Sequence, residues 1–295
     1  MKEIAEIING TLHAGTPVEI TEYSIDSRSV VDPAHTLFFA LKGNNHNAHD
    51  YIHTLYADGV RAFVISEFRD SFRQLAEANF IIVPDVLAAL QLLAAYHRQQ
   101  VQAEVIGITG SNGKTVVKEW LYQLLANDYF VYRSPRSYNS QVGVPLSLLG
   151  IAPKADIAII EAGISQRGEM QRLQQMIRPN MGIFTHLGDA HAENFSSQQE
   201  KLAEKALLFS SCKWIIGQDG EALDFIKTQV PPTTSFLTWG ENHTANVQVK
   251  TLNVNSIHRE VEVTYQYKTF VLEIPFADIA SFENCMNAVC VLLLK

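Results

Sequence analysis

Only three cysteines, Cys212, Cys285 and Cys290, occur in 295 residues. They are too few and too irregularly spaced for a disulfide framework or a metal-binding set, and a reducing compartment suits them best. Positive charge is also in short supply: 23 Lys and Arg stand against 31 Asp and Glu, a net charge of −8. A nucleic-acid surface needs clustered Lys and Arg to release counterions, so no nucleic-acid partner is expected. A small anionic substrate stays compatible, because a local cationic pocket can act against an acidic background. No apolar run reaches the roughly 20 residues that span a bilayer, and no signal peptide opens the chain, so the expected location is cytoplasmic, without a membrane partner. Internal repeats and low-complexity tracts are absent as well. What is present is an ordinary globular composition, 47% apolar and 18% charged, at a length that predicts two domains. Residues 289–295 run on in an apolar helical pattern with no glycine or proline stop, which predicts a piece of a longer protein.

One stretch, residues 107–115, organises the rest. An apolar run (Val105, Ile106, Ile108) leads into it, and a helical pattern (Val116, Val117, Trp120, Leu121, Leu124, Leu125) leaves it. Between them lie Thr109-Gly110-Ser111-Asn112-Gly113-Lys114-Thr115. Gly110 and Gly113 allow positive φ and bring backbone N–H groups close to an anion, while the following helix aims its positive end at the same spot. Lys114 adds a cation and the Thr115 hydroxyl is suited to Mg²⁺, so the stretch reads as a cradle for a nucleoside triphosphate. It departs from the commonest phosphate loop in carrying Ile108 where that pattern has glycine. The plain alternative is a glycine-rich strand-to-helix turn that binds nothing.

Residues 1–84 read as a small α/β domain. Helices are expected over 1–9, 50–57 and 71–78, and strands over 18–25, 37–41, 62–65 and 80–83. Two loops follow strands, where open α/β sheets place ligand groups: one holds Ser27 and Arg28, the other Asn44, Asn45 and His46, with His49 and Asp50 just beyond. The Arg28 fork matches a diphosphate, and Ser27 and Asn44 offer neutral hydrogen bonds. Read alone, these are equally ordinary solvated loop residues, and Asp50 is as readily a helix cap.

A helix over 86–99, capped by Pro84-Asp85, and a Gln-rich linker at 99–102 make up a connection over 85–103. From 104 to 295 the chain alternates strand and helix, with apolar runs at 129–132, 157–160, 181–184 and 213–216. That alternation predicts a doubly wound, mostly parallel sheet built on the phosphate loop. Beyond Trp239 strands at 246–254, 260–267 and 270–274 predict a β-rich edge. Glu161 ends a buried strand and needs a partner, either Mg²⁺ or an arginine. His191 lies past another strand end, where a structural hydrogen-bonding role competes with metal ligation. Lys205, between Leu202 and Leu208 in a helix over 199–209, reads by itself as a solvated helix lysine.

The loop at 109–115 resembles that of the Mur ligases and the folylpolyglutamate synthases, ATP-dependent enzymes that form amide bonds. Further blocks are similar to the Mur ligases in the same order along nearly the whole chain: Ser24-Ile25-Asp26-Ser27-Arg28, residues 37–43, Ala48-His49-Asp50-Tyr51, residues 139–146, Ile160-Glu161-Ala162-Gly163 with Gly168-Glu169, Arg178-Pro179, and His191 through Glu193-Asn194-Phe195. They match best the branch that adds D-alanyl-D-alanine to UDP-N-acetylmuramoyl-tripeptide (UDP-MurNAc-tripeptide); the branch adding the third residue shares part of the pattern. The resemblance implies ATP and Mg²⁺ as cofactors, and Ser27, Arg28, Asn44, Asn45 and His46 as contacts of the UDP end. It implies Thr115, Glu161, His191 and a carbamylated Lys205 as metal ligands, with Lys114, Glu161, His191 and Lys205 acting in catalysis. Asn139 would lie near the phosphates, and Asn284 and Asn287 near the adenine, although Glu283 stands where the family usually has histidine. It also implies a third domain that brings the D-alanyl-D-alanine, and in some members a fused alanine racemase. Without that domain little or no ligation is expected, and a nucleotide-binding module without ligase activity is the reading from another class.

Overall fold

The computed structural model describes residues 1–43, 45–188 and 194–295. They divide into two compact units, residues 1–100 with 148–150, and residues 101–147 with 151–295. The division after residue 100 falls inside the Gln-rich stretch, and the helix over 86–100 counts with the first unit.

In the first unit five strands form one sheet in the order β1-β5-β4-β3-β2: β1 (Thr11–His13), β2 (Glu22–Ser24), β3 (Thr36–Phe39), β4 (Ala62–Ile65) and β5 (Asn79–Ile82). All neighbours are parallel except β1, which runs antiparallel to β5. The helices are α1 (Lys2–Ile7), α2 (Ile52–Ala57) and α3 (Val86–Gln100). Strands β3 and β4 are buried at every position, as expected of parallel strands covered on both faces. Phe63, Phe72 and Phe80 stack with centroids 5.4 to 5.5 Å apart in this core.

Three local expectations change. The helix expected over 71–78 is a single 3₁₀ turn, Asp70–Gln74. Phe72 is the buried residue of that turn and Leu75, just past its end and three residues on, is buried as well, a spacing that a 3₁₀ turn already puts on one side. The strand expected over 18–25 shrinks to β2, an edge strand paired only with β3. Asp50 is no cap: Asn47 accepts from the His49 N–H, while Asp50 pairs with Arg69 at 2.7 Å.

The second unit holds nine strands in the order β14-β13-β12-β11-β10-β9-β6-β8-β7. These are β6 (Glu104–Thr109), β7 (Val131–Arg133), β8 (Ile157–Glu161), β9 (Met181–Phe184), β10 (Trp214–Gln218), β11 (Ser235–Gly240), β12 (Val247–Val254), β13 (Arg259–Tyr265) and β14 (Lys268–Ile274). From β7 to β12 the pairing is parallel; β13 and β14 add an antiparallel edge. The expected mostly parallel sheet with a β-rich edge is therefore present, and β11 is an additional strand whose mixed pattern gave no clear periodicity. The helices are α4 (Lys114–Leu125), α5 (Gly143–Leu149, whose last two residues count with the first unit), α6 (Glu169–Ile177), α7 (Gln198–Ala206), α8 (Glu221–Gln229) and α9 (Ile279–Leu294). Among the described residues no helix is long and apolar enough to cross a membrane.

Strand β6 lies between β8 and β9, in a register that puts Ile108 beside Glu161 and Thr109 beside Phe184. The carboxyl ends of three adjacent strands thus finish level, the place where doubly wound sheets gather ligand groups. Beneath them Val117, Leu121 and Leu125 of α4 pack with Met286, Cys290 and Val291 of α9 and with the β6 and β9 side chains. Leu121→Ala empties a fully buried position in this core and is expected to cost about 2–5 kcal/mol, read from urea unfolding followed by tryptophan fluorescence.

Candidate active site

Strand β6 hands the chain to α4 through residues 110–113, with φ of +149° at Gly110 and +83° at Gly113. Both glycines are also pressed from outside. A Cβ at Gly110 would lie 2.0 Å from Thr185 Oγ1, and one at Gly113 would lie 2.1 Å from Asn284 Oδ1. The loop is tied to the end of β9: the Ser111 N–H donates to the His186 carbonyl at 2.7 Å, Ser111 Oγ to the Gly188 carbonyl at 3.0 Å, and Thr185 Oγ1 to the Asn112 carbonyl at 2.5 Å. Thr109, the last residue of β6, is fully buried, and its Oγ1 has no partner among the described residues.

Lys114 and Lys205 converge on this loop. Each Nζ donates to the Gly110 carbonyl at 3.0 Å, and Lys114 also reaches the Ser111 carbonyl at 3.2 Å. Lys205, read alone as a solvated lysine, is only 3% exposed. The helix α7 turns Lys201, Leu202, Lys205 and Ala206 inward, so two lysines one turn apart are buried together. Lys201 Nζ donates to the Gly188 carbonyl at 2.6 Å. Burial first, then the nearby Lys114 and Lys201 ammonium groups, draws Lys205 down from 10.5 to about 7. Burial likewise lowers Lys114, with Glu161 opposing and Lys201 assisting.

Glu161, at the end of β8, is 1% exposed. Thr115 Oγ1 donates to its two oxygens at 3.1 and 3.0 Å, and Asn139 Nδ2 donates to Oε1 at 2.9 Å. Its cationic partner within the protein is Lys118 of α4, 3.4 Å from Oε2, where the sequence offers Mg²⁺ and an arginine as the two alternatives. Thr115 and Glu161 thus set hard oxygen donors side by side, the donor chemistry Mg²⁺ takes when phosphates complete its shell. A cavity of about 170 Å³ opens beside the two lysines, lined by Gly110, Ser111, Lys114, Asn139, Lys205 and residues from the 163–169 turn.

The expected adenine pair divides. Asn284 lies against Gly113, while Asn287 is fully buried, with its Oδ1 accepting from Trp239 Nε1 at 3.0 Å. Glu283 faces His186, with Oε2 3.5 Å from Nδ1. His191 lies outside the described residues. Lys118 and Lys201 escaped the sequence reading. A signal for each existed: Lys118 shares the apolar stripe of Val117, Leu121 and Leu125, and Lys201 precedes Lys205 by one helical turn.

In the first unit, Ser27, Arg28, Asn45 and His46 line one cavity of about 610 Å³, floored by Phe38 and Leu41. Asn44 lies outside the described residues. The Arg28 fork is held by Asp26, with Nε 2.9 Å from Oδ1 and Nη2 2.8 Å from Oδ2. That hydrogen bonding holds the Asp26 carboxyl at about 2.

Comparison with known proteins adds four findings. The profile of the Mur ligase middle domain matches residues 108–292, more than half of the chain. The UDP-N-acetylmuramoyl-tripeptide–D-alanyl-D-alanine ligase of Bacillus subtilis is 31% identical over 207 residues, 70% of this chain and 45% of the relative. The Escherichia coli protein of the same name is 33% identical over 210 residues, 71% of this chain and again 45% of the relative. The chain therefore spans somewhat under half the length of these two relatives. A crystal structure of MurF from Acinetobacter baumannii superposes with a TM-score of 0.89 at 23% identity, over 99% of this chain and 64% of that one, a likeness of fold.

The buried lysine makes stability pH-dependent. The unfolded chain keeps Lys205 protonated up to the ordinary lysine range, near 10.5, whereas the folded chain releases that proton near 7. Between these values the folded state binds fewer protons, so stability rises with pH, and below about 7 the full cost of burying the charge is present. Lys205→Met is expected to raise the melting temperature at pH 6.5 by more than at pH 9.5, measured by calorimetry at both values.

Proposed function

The chain belongs to the Mur ligase family, and from that membership we propose that it supplies the nucleotide-binding and UDP-binding parts of a MurF-type ligase. The reaction is the ATP-dependent joining of D-alanyl-D-alanine to UDP-MurNAc-tripeptide in peptidoglycan precursor synthesis. The observation that carries the reading is the convergence of Lys114, Lys205, Thr115 and Glu161 where strands β6 and β8 end. The three unpaired cysteines suit a cytoplasmic setting for this reaction.

The γ-phosphoryl group of ATP passes to the terminal carboxylate of the tripeptide, giving an acyl phosphate and ADP. The amine of D-alanyl-D-alanine then attacks the acyl carbon, and phosphate leaves. Two anions have to be brought together in the first step, so local positive charge is the requirement. Lys114, fixed on the loop carbonyls, is placed to release them for phosphate oxygens and neutralise the transferring group. Mg²⁺, held through Thr115, Glu161, His191 and a carbamylated Lys205, would supply the remaining neutralisation. The Lys205 amine, drawn down to about 7, is free to add to CO₂ and lose a proton, becoming an anionic oxygen donor. Asn139 orients Glu161, and Asn284, set on Gly113, belongs to the nucleotide side. Asn287 acts at one remove, by holding Trp239. The UDP end of the substrate is assigned to the first-unit cavity, with Arg28 toward the diphosphate and Ser27, Asn44, Asn45 and His46 around it.

Two substitutions in the full-length protein test the division of labour. Lys114→Ala is expected to lower acyl-phosphate formation, followed by ADP release, by about a hundredfold or more while UDP-sugar affinity by calorimetry stays near wild type. Loss of both together would count against the assignment. Arg28→Ala is expected to do the converse, weakening UDP binding about tenfold and leaving ADP binding in place.

A further inference from the structure

Lys118 is a fully buried lysine that the phosphate-transfer chemistry does not call upon. Its ammonium touches three groups: Glu161 Oε2 at 3.4 Å, Glu119 Oε1 at 3.4 Å, and the Arg136 carbonyl, to which it donates. Arg136 sits at φ +49°, a left-handed conformation that side-chain-bearing residues seldom adopt. That backbone turns its carbonyl onto the lysine. The same loop carries Ser137, 3.4 Å from Thr115 Oγ1, and Asn139, which holds Glu161 Oε1. Glu119 is fixed from the other side by Arg133 at 2.8 Å, which lies over the Tyr122 ring at 3.7 Å. One ammonium therefore sets the Glu161 carboxylate and the loop at 134–139 together.

The electrostatics go further. A carboxylate buried to 1% exposure needs a cation whatever else is bound. Lys118 provides one on Oε2 from within the protein, while Thr115, whose hydroxyl spans both oxygens of the same carboxylate, marks where a divalent ion would be taken. Two cations on one carboxylate repel each other across a few ångströms of low-dielectric interior. We propose that Lys118 is a positioning residue that stands in for the divalent cation on Glu161, holding the site formed when it is empty and keeping Mg²⁺ weakly bound until nucleotide phosphates help to hold it. The inference rests on the reading of Thr115 and Glu161 as the metal side of a nucleotide site.

The test uses Lys118→Met, Lys118→Arg, Glu161→Gln and the Lys118→Met/Glu161→Gln pair, each followed by thermal melting in EDTA, in MgCl₂ alone and in MgCl₂ with ADP. Lys118→Met is expected to melt lower than wild type in EDTA and to bind Mg²⁺ alone about tenfold more tightly, with a correspondingly larger rise in melting temperature. Lys118→Arg, which keeps the charge, is expected to respond to Mg²⁺ as wild type does. The double substitution is expected to recover part of the melting temperature lost by Lys118→Met. Equal Mg²⁺ responses in wild type and Lys118→Met would overturn the stand-in role, and additive losses in the double variant would overturn the positioning of Glu161. If Lys118→Met does not fold even with Mg²⁺, the double variant decides: folding supports the proposal, and failure to fold overturns it. A wild type that shows no response to MgCl₂ with ADP would instead bring down the nucleotide-site reading, while the cycle in EDTA still reports on Lys118.

Discussion

The second unit is arranged around a single buried carboxylate. Glu161 ends the strand beside β6 with almost no contact with water, and an ion in that position has to be met by charge and hydrogen bonds from its neighbours. Two separate segments answer: α4 through Thr115 and Lys118, and the loop before α5 through Asn139, while the Glu161 backbone is tied to the start of that loop by its N–H, which donates to Ser134 Oγ at 3.2 Å. The first turn of α4 and the 134–139 loop are thereby held in one geometry by the needs of one side chain. The level ends of β6, β8 and β9 are what make this possible.

Around the carboxylate the protein concentrates positive charge that its overall composition lacks. The chain carries a net charge of −8, yet Lys114, Lys201 and Lys205 are gathered within reach of the Gly110 and Gly188 carbonyls. Burial of Lys205, and after it the neighbouring Lys114 and Lys201 ammonium groups, make its charged form unfavourable, which is why Lys205 loses its proton so readily. A polyphosphate or a second anion entering the adjoining cavity would relieve that repulsion.

The first unit presents a different kind of site. Its cavity has an apolar floor, Phe38 and Leu41, and polar groups on loops that follow strands. Here the main cation is kept on a carboxylate rather than on a carbonyl. Asp26 grips both arms of the Arg28 fork, so the guanidinium is oriented before any ligand arrives.

How far the residues themselves disclose this depends on how local the cause is. Strand, glycine turn and helix at 105–125 follow from spacing and from the need for positive φ at Gly110 and Gly113, and the α/β alternation follows from periodicity in the same way. Neighbouring residues in sequence decide such features, so they could be read directly, as could Glu161 as a buried carboxylate in need of a partner; Asn139 and the role of the loop around Arg28 came only through resemblance. The environment of Lys205 could not: its partner Gly110 is 95 positions away, and a helical lysine looks the same in sequence whether it faces water or a carbonyl. Lys118 as the counter-ion of Glu161, the withdrawal of Asn287 into the core beside Trp239, and the 3₁₀ turn at 70–74 belong to the same class. Local chemistry set the phosphate loop and the order of elements; burial, which depends on what distant segments bring alongside, settled which charges meet and at what protonation.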